Sequence, residues 1–293
     1  MAGNFWQSSH FEQWILERAD LGRGRAEDMK NITEDEYQKL MIFFCNLMKM
    51  IAQDPQLGGT KVRMQVVATA SVYFKRFYLR RTFKDIDPFL MAPTCLLLAA
   101  KVEEFGLLST NKLSQIMPQI LKSRYNYMAV EHLRVPIMHE AEFILLEILD
   151  CCLIVFQPYR PLKQFIQDLR DSGVKDVDIL ESTAVKAVND SVHTDLALLY
   201  APHVIALGCL QLAMLQLQRE KEFIQWMAEL AIEYDKVQDV VATLESSYKL
   251  WKFIDNKDSV KALLEKLPKV CSNPPTNQMM NQGQRMPQQR YGM

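Results

Sequence analysis

The sequence predicts an all-α protein of two tandem five-helix repeats, with an extra N-terminal helix and a disordered C-terminal tail. Three observations predict it. Only 10 of 293 residues are glycine and β-branched runs are few, which favours helix. Apolar residues recur at helical spacing in segment after segment, punctuated by proline, glycine and capping residues. Finally, the apolar run Asp87–Phe105, DPFLMAPTCLLLAAKVEEF, returns as Pro202–Met214, PHVIALGCLQLAM, at an offset of 114 residues. At that offset Pro88/Pro202, Ala92/Ala206, Cys95/Cys209, Leu96/Leu210, Leu98/Leu212 and Ala99/Ala213 coincide. Charges end only the first copy, which gives that repeat a polar task the second lacks.

Phe5–Arg18 is amphipathic through Phe5, Trp6, Phe11, Trp14 and Ile15, and the glycines and charges of Leu21–Asp28 then break the pattern as a linker. Thr33-Glu-Asp-Glu36 is a capping box, and Ile32 can staple onto Tyr37. The helix it opens carries Leu40, Met41, Phe44, Leu47, Met48 and Ile51 on one face and stops at Pro55 and Gly58-Gly59. A second helix runs from about Lys61 to Arg80. Asp87 is a natural N-cap and Pro88 a natural first residue for the third, which closes at Gly106. Ser109 or Thr110 caps a fourth, which Pro118 should kink or split. The fifth covers about Val135–Asp150; its AEFILLEIL is apolar on nearly every face, as expected of the central helix of a bundle.

Pro158 and Pro161 mark the junction. Helices follow at about Leu162–Arg170, Val177–Leu199, Pro202–Gln218, Glu222–Leu230 and Ile232–Ile254, with a short one near Ser259–Leu267. From Pro268 the chain is rich in Pro, Gln and Asn and too poor in aliphatic residues to offset its ordering entropy. The expected divisions are residues 1–31 for the N-terminal helix and linker, 32–157 and 158–257 for the two repeats, and 258–293 for a short helix and the tail.

A net charge of −1 argues against a general nucleic-acid binder, which needs excess Lys and Arg facing phosphates. The six cysteines form no C-x-x-C pair and sit mostly in apolar runs, so they read as buried thiols of a reducing compartment. The start MAGNFWQSSH lacks the basic and apolar regions of a secretory signal. Leu196–Gln218 is uncharged and long enough to span a bilayer, but polar residues interrupt it and Pro202 restarts the period; two core helices are expected instead.

Catalytic and metal constellations are weak, and none is expected to operate. Ser191, His193 and Asp195 have the residue types of a hydrolytic triad, but i, i+2 and i+4 positions on a helix do not converge. His139 and Glu142 resemble half of a carboxylate-bridged metal site without a second E-x-x-H pair. No phosphate-cradling loop is present, and no cofactor is expected. What remains is Lys101 at the end of LLLAA and Glu142 inside an apolar helix. Burying either unpaired would cost several kcal/mol. Two readings stay open on these residues: an internal ion pair, or two charges flanking a patch that receives another protein's helix and binds the free backbone groups at its ends.

The LLLAAKVEEF ending, VYFKRFYLRR before it and EAEFILLEILDCCLIVFQPYRPL after it resemble the cyclin box. The resemblance runs from residue 1 to about 267, and MAGNFWQSSHFEQWIL narrows it to the branch that serves the Mediator kinase module. It implies two five-helix cyclin folds in a non-catalytic subunit that activates a cyclin-dependent kinase. Other Mediator kinase-module subunits, a nuclear location and regulation of RNA polymerase II transcription are implied with it, and no direct nucleic-acid or membrane contact. The family's kinase-contacting lysine falls on Lys101 and its glutamate on Glu142; Val102, Glu103, Glu104 and Phe105 fall in the same zone. Glu103 and Glu104 could meet kinase arginines, and Trp6, Phe11 and Trp14 could form a kinase-selecting N-terminal helix. The implied mechanism is allosteric: a rigid face that binds only the active position of the kinase αC helix shifts the population toward it. The first helix reads YQKLMIFFCNLM, so the MRAIL-type substrate patch of cell-cycle cyclins is absent. The competing classes are a cyclin-fold scaffold and a nucleic-acid-binding general transcription factor, the latter expected to show a basic face.

Overall fold

The computed structural model describes residues 3–57, 61–128, 133–228, 230 and 232–268. An N-terminal pair, α1 (Ser9–Trp14) and α2 (Arg18–Arg25), precedes a first bundle of α3 (Glu34–Gln53), α4 (Met64–Arg80), α5 (Pro88–Val102), α6 (Thr110–Tyr125) and α7 (Val135–Ile148). A second bundle follows with α8 (Tyr159–Asp171), α9 (Val177–Ser191), α10 (Leu196–Leu199), α11 (Pro202–Gln216), α12 (Glu220–Met227) and α13 (Tyr234–Trp251). The last helix, α14 (Lys257–Leu264), returns to α3 and α6 of the first bundle. Among the described residues there is no strand, and no helix is long and apolar enough to cross a membrane. The expected tail beyond residue 268 and the Gly58-Gly59 turn lie outside the described residues.

Local sequence sets most helix starts. Thr33 and Glu36 close both arms of the capping box on α3. Asp87 accepts the Phe89 N–H at 2.9 Å, with Pro88 supplying a preset φ at the first position of α5. The central helix of the first bundle is α5, with every residue from Pro88 to Ala100 buried against α3, α4 and α7. Its counterpart α11 packs on α8, α9 and α13. Each bundle has its own apolar cluster. The repeat extends to the helix ends. Beyond α5, the Phe105 N–H donates to Ala100 at 3.0 Å and Glu104 turns left-handed at φ 50°. Beyond α11, the Arg219 N–H donates to Met214 at 2.9 Å and Gln218 turns at φ 58°. These are the same helix stop, at the same offset of 114, made by non-glycine residues.

Five expectations are corrected. The fifth helix, α7, is peripheral: Phe143 at its middle is 74% exposed. The third ends at Val102, four residues before Gly106, because Glu104 takes the left-handed turn. Pro118 does not split α6. One proline inside a helix costs ~3 kcal/mol, whereas Leu113, Ile116, Met117, Ile120 and Leu121 each contribute ~1.5–3 kcal/mol by burial. Leu21–Asp28 is no break: Glu17 and Asp20 form a capping box for α2, and Gly24 is a packing residue. A Cβ there would lie 2.6 Å from the Leu79 carbonyl. The single helix expected over Val177–Leu199 is interrupted at residues 192–195. Lys75 of α4 donates to the freed carbonyls of Val192, at 2.6 Å, and Thr194.

Candidate functional site

Lys101 stands on the last turn of α5 and Glu142 on the facing side of α7, and the structure brings them together. Lys101 Nζ donates to both carboxylate oxygens of Glu142, at 2.6 and 2.8 Å. The lysine side chain is 36% exposed and the glutamate 11%, so the pair lies at a rim with its acid in the wall. His139, one turn earlier on α7, places Nδ1 4.0 Å from the same carboxylate. In the isolated chain the ion pair therefore exists, and its exposed edge still faces solvent.

The following residues divide. Val102 and Phe105 are half-buried on the first core, with the Arg63 guanidinium 5.7 Å from the Phe105 ring. Glu103 points into the fold. Its carboxylate accepts from Thr69 Oγ1 at 2.6 Å and Gln65 Nε2 at 2.7 Å, and its carbonyl from Arg63 at 3.3 Å. Gln157 in turn donates to Thr69 Oγ1 at 3.1 Å. Glu103 thus fastens the end of α5 to α4, and its carboxylate is already occupied. Glu104 is exposed in the left-handed turn, its carboxylate on the surface.

Two large apolar side chains close in sequence to the pair are exposed, and sequence reasoning missed them. Phe143 follows Glu142 and is 74% exposed; Leu107, past the α5 turn, is 87% exposed. A signal was available. A bundle has one fully enclosed helix, DPFLMAPTCLLLAA already fills that place, and the surplus apolar face of AEFILLEIL must then look outward.

The three N-terminal aromatics separate. Trp14 is buried, with the Arg76 and Arg80 guanidiniums 4.8 and 4.3 Å from its ring, so it anchors the segment on the first bundle. Trp6 and Phe11 remain exposed, edge to face at 5.0 Å, with Trp6 5.7 Å from His203 of α11.

The residue types of a triad do not converge. His193 Nδ1 lies 3.2 Å from the Asp190 carbonyl and its ring 4.1 Å from Trp251, while Asp195 turns to Arg25 at 2.8 Å. Burial first, and then the charge of Lys75, push the His193 pKa down to about 3, so the ring stays neutral. Among the described residues no group of three His, Cys, Asp or Glu side chains is placed to hold a metal.

Residues 57–153 match the cyclin N-terminal domain family and residues 157–252 the cyclin C-terminal domain family. Cyclin-C of Drosophila melanogaster is 48% identical over 271 residues, covering 92% of this chain and 97% of that protein. Cyclin-C of Rattus norvegicus is 44% identical, covering 97% and 96%, and that of Caenorhabditis elegans 39%, covering 94% and 96%. Among solved structures, a chain of the Chaetomium thermophilum CAK complex bound to ATP-gamma-S superposes with TM-score 0.65 at 19% identity, over 90% of this chain and 87% of that one. A chain of the yeast TFIIK complex (Kin28/Ccl1/Tfb3) superposes with TM-score 0.59 at 23% identity, over 83% and 99%. At those identities the superpositions speak for the fold. With both halves of the cyclin fold matched and the Cyclin-C proteins similar over nearly its whole length, this chain belongs to the cyclin family, in its cyclin-C group.

Proposed function

We propose that this chain is a non-catalytic regulatory subunit that binds and activates the cyclin-dependent kinase of the Mediator kinase module in the nucleus, and so regulates transcription by RNA polymerase II. The observation that carries the reading is the Lys101–Glu142 pair between α5 and α7, its lysine 36% exposed and its glutamate in the wall, with exposed Phe143 next to Glu142 on α7 and exposed Leu107 just past the end of α5. Exposed large apolar side chains near a fixed ion pair suit the helix of a partner protein. Both helices are rigidly seated in one core, so the face can select one kinase conformation. Lys101 and Glu142 frame the seat, Phe143 and Leu107 supply area, Val102 and Phe105 floor it, and exposed Glu104 is available to a kinase arginine. Glu103 holds the end of α5 in place. Trp6 and Phe11 offer a second contact on the N-terminal segment.

The test is co-purification with the kinase and its activity on a peptide substrate. Lys101→Glu and Phe143→Ala should each reduce association and activity at least about tenfold, the scale of a central interface residue, with helical content unchanged. Full kinase binding and turnover with both variants would refute the assignment.

A further inference from the structure

Residues 3–25 hold both bundles at once. The Phe156 N–H donates to His10 Nδ1 at 3.1 Å, and His10 Nε2 lies 3.4 Å from the Ala197 carbonyl. The Leu16 N–H donates to the Leu198 carbonyl at 2.8 Å. Trp14 lies against Arg76 and Arg80 of the first bundle. Arg18 pairs with Asp239 of α13, which also accepts from the Tyr200 hydroxyl.

The joint between the bundles mixes apolar and charged contacts. Their two cores are separate clusters, and a third, bridging cluster consists of Leu21, Leu79, Leu198 and Leu199. One of its four members, Leu21, comes from α2. Beside it lies a buried charge group. Asp195 of the second bundle, 8% exposed, meets Arg25 of α2 at 2.8 Å and Gln38 of α3 at 2.9 Å. Lys75 of α4 lies in the same group, its ammonium spent on the Val192 and Thr194 carbonyls. Burial works against the Asp195 carboxylate, but Arg25, Lys75 and Gln38 outweigh it and hold its pKa below the ordinary value. Arg25 is itself buried, 4.6 Å above the Tyr37 ring. Joints between domains that are partly polar ordinarily permit relative motion. Leu250 and Trp251 of α13 also lie against the first core, while an element outside both bundles supplies one of the four bridging leucines and the direct counter-charge.

We propose that residues 3–25 are a splint that sets the angle between the two cyclin boxes, with the Arg25–Asp195 pair as its lock and Leu21 as its wedge. Without the splint, Asp195 is left in the joint with no direct cationic partner, and the boxes relax to orientations that admit water to it.

The proposal is independent of the kinase reading and is tested on the full chain without a partner. Spin labels are placed at Lys122→Cys in the first box and Lys175→Cys in the second, both exposed, with Cys151 and Cys271 changed to Ser. Pulsed dipolar spectroscopy should give one narrow inter-box distance for the parent chain. Arg25→Met should broaden it or add a second distance, deletion of residues 3–25 should broaden it further, and Arg25→Lys should restore it, with helical content otherwise kept. An unchanged centre and width in Arg25→Met overturns the proposal, and does so even if the deletion variant fails to fold.

Discussion

Changing Lys101 to Met leaves the Glu142 carboxylate in the wall of the first box with its bidentate donor gone. Exposed ion pairs contribute at most ~1 kcal/mol, whereas removing one partner of a buried pair costs ~3–5 kcal/mol. With Glu142 at 11% exposure and Lys101 at 36%, this pair falls between the two cases. A loss of about 1–2 kcal/mol is expected, since the carboxylate can recover some water through the space the lysine vacates. Glu142→Gln should cost less, because the freed lysine already reaches solvent. The double variant should therefore be more stable than the sum of the single changes implies, by about 1 kcal/mol. In thermal unfolding of the free chain, Lys101→Met should lower Tm by a few degrees, on the order of 2–4 °C per kcal/mol for a protein of this size class. Additive shifts, or a larger loss for Glu142→Gln than for Lys101→Met, would refute the assignment of Glu142 as the buried member. The same variants separate two roles: a kinase-binding loss much larger than the stability loss belongs to the surface, and a matching loss belongs to the fold.

Two further outcomes follow from other parts of the molecule. A Cβ on Gly208 would sit 2.4 Å from Val240 Cγ1, so Gly208→Ala should destabilise the second box by about 1–3 kcal/mol in denaturant titration, and Val240→Ala in the same chain should recover part of the loss. His10 and His193 both have pKa values lowered to about 3 by burial, with Arg76 and Lys75 respectively adding to it. The unfolded chain then binds more protons between about pH 3 and 6.5; stability is full above 6.5 and falls as pH drops, by ~1.4 kcal/mol per unit for each histidine. His10→Gln should make the fall in Tm from pH 7 to 5 shallower, and an identical slope would show that His10 gains its proton freely in the fold.

Features whose cause is local are legible in the sequence. The capping box at Thr33, the Asp87-Pro88 start and the repeated apolar helices rest on contacts within a few residues, and the structure keeps them. The candidate site is legible in part. Lys101 and Glu142 stand out because charges beside apolar runs are costly, but whether they meet depends on how α5 lies against α7. Glu103 and Glu104 are neighbours of one residue type with opposite fates, since one turn at φ 50° sends one inward to Thr69 and the other to solvent. Trp14 looks like Trp6 in sequence, yet two arginines about sixty residues away enclose only one of them.

The all-α class, the duplication at offset 114 and the polar ending of its first copy are legible without the fold, because period, caps and repeat are written in neighbouring residues. The tertiary structure alone decided which apolar helix is enclosed, where the helix after Val177 breaks and how residues 3–25 join the boxes. The last two turn on a lysine capping carbonyls more than a hundred residues away, a glycine against Leu79 and a carboxylate that binds both α2 and α3. Each is a long-range contact, and no short window of sequence contains both partners.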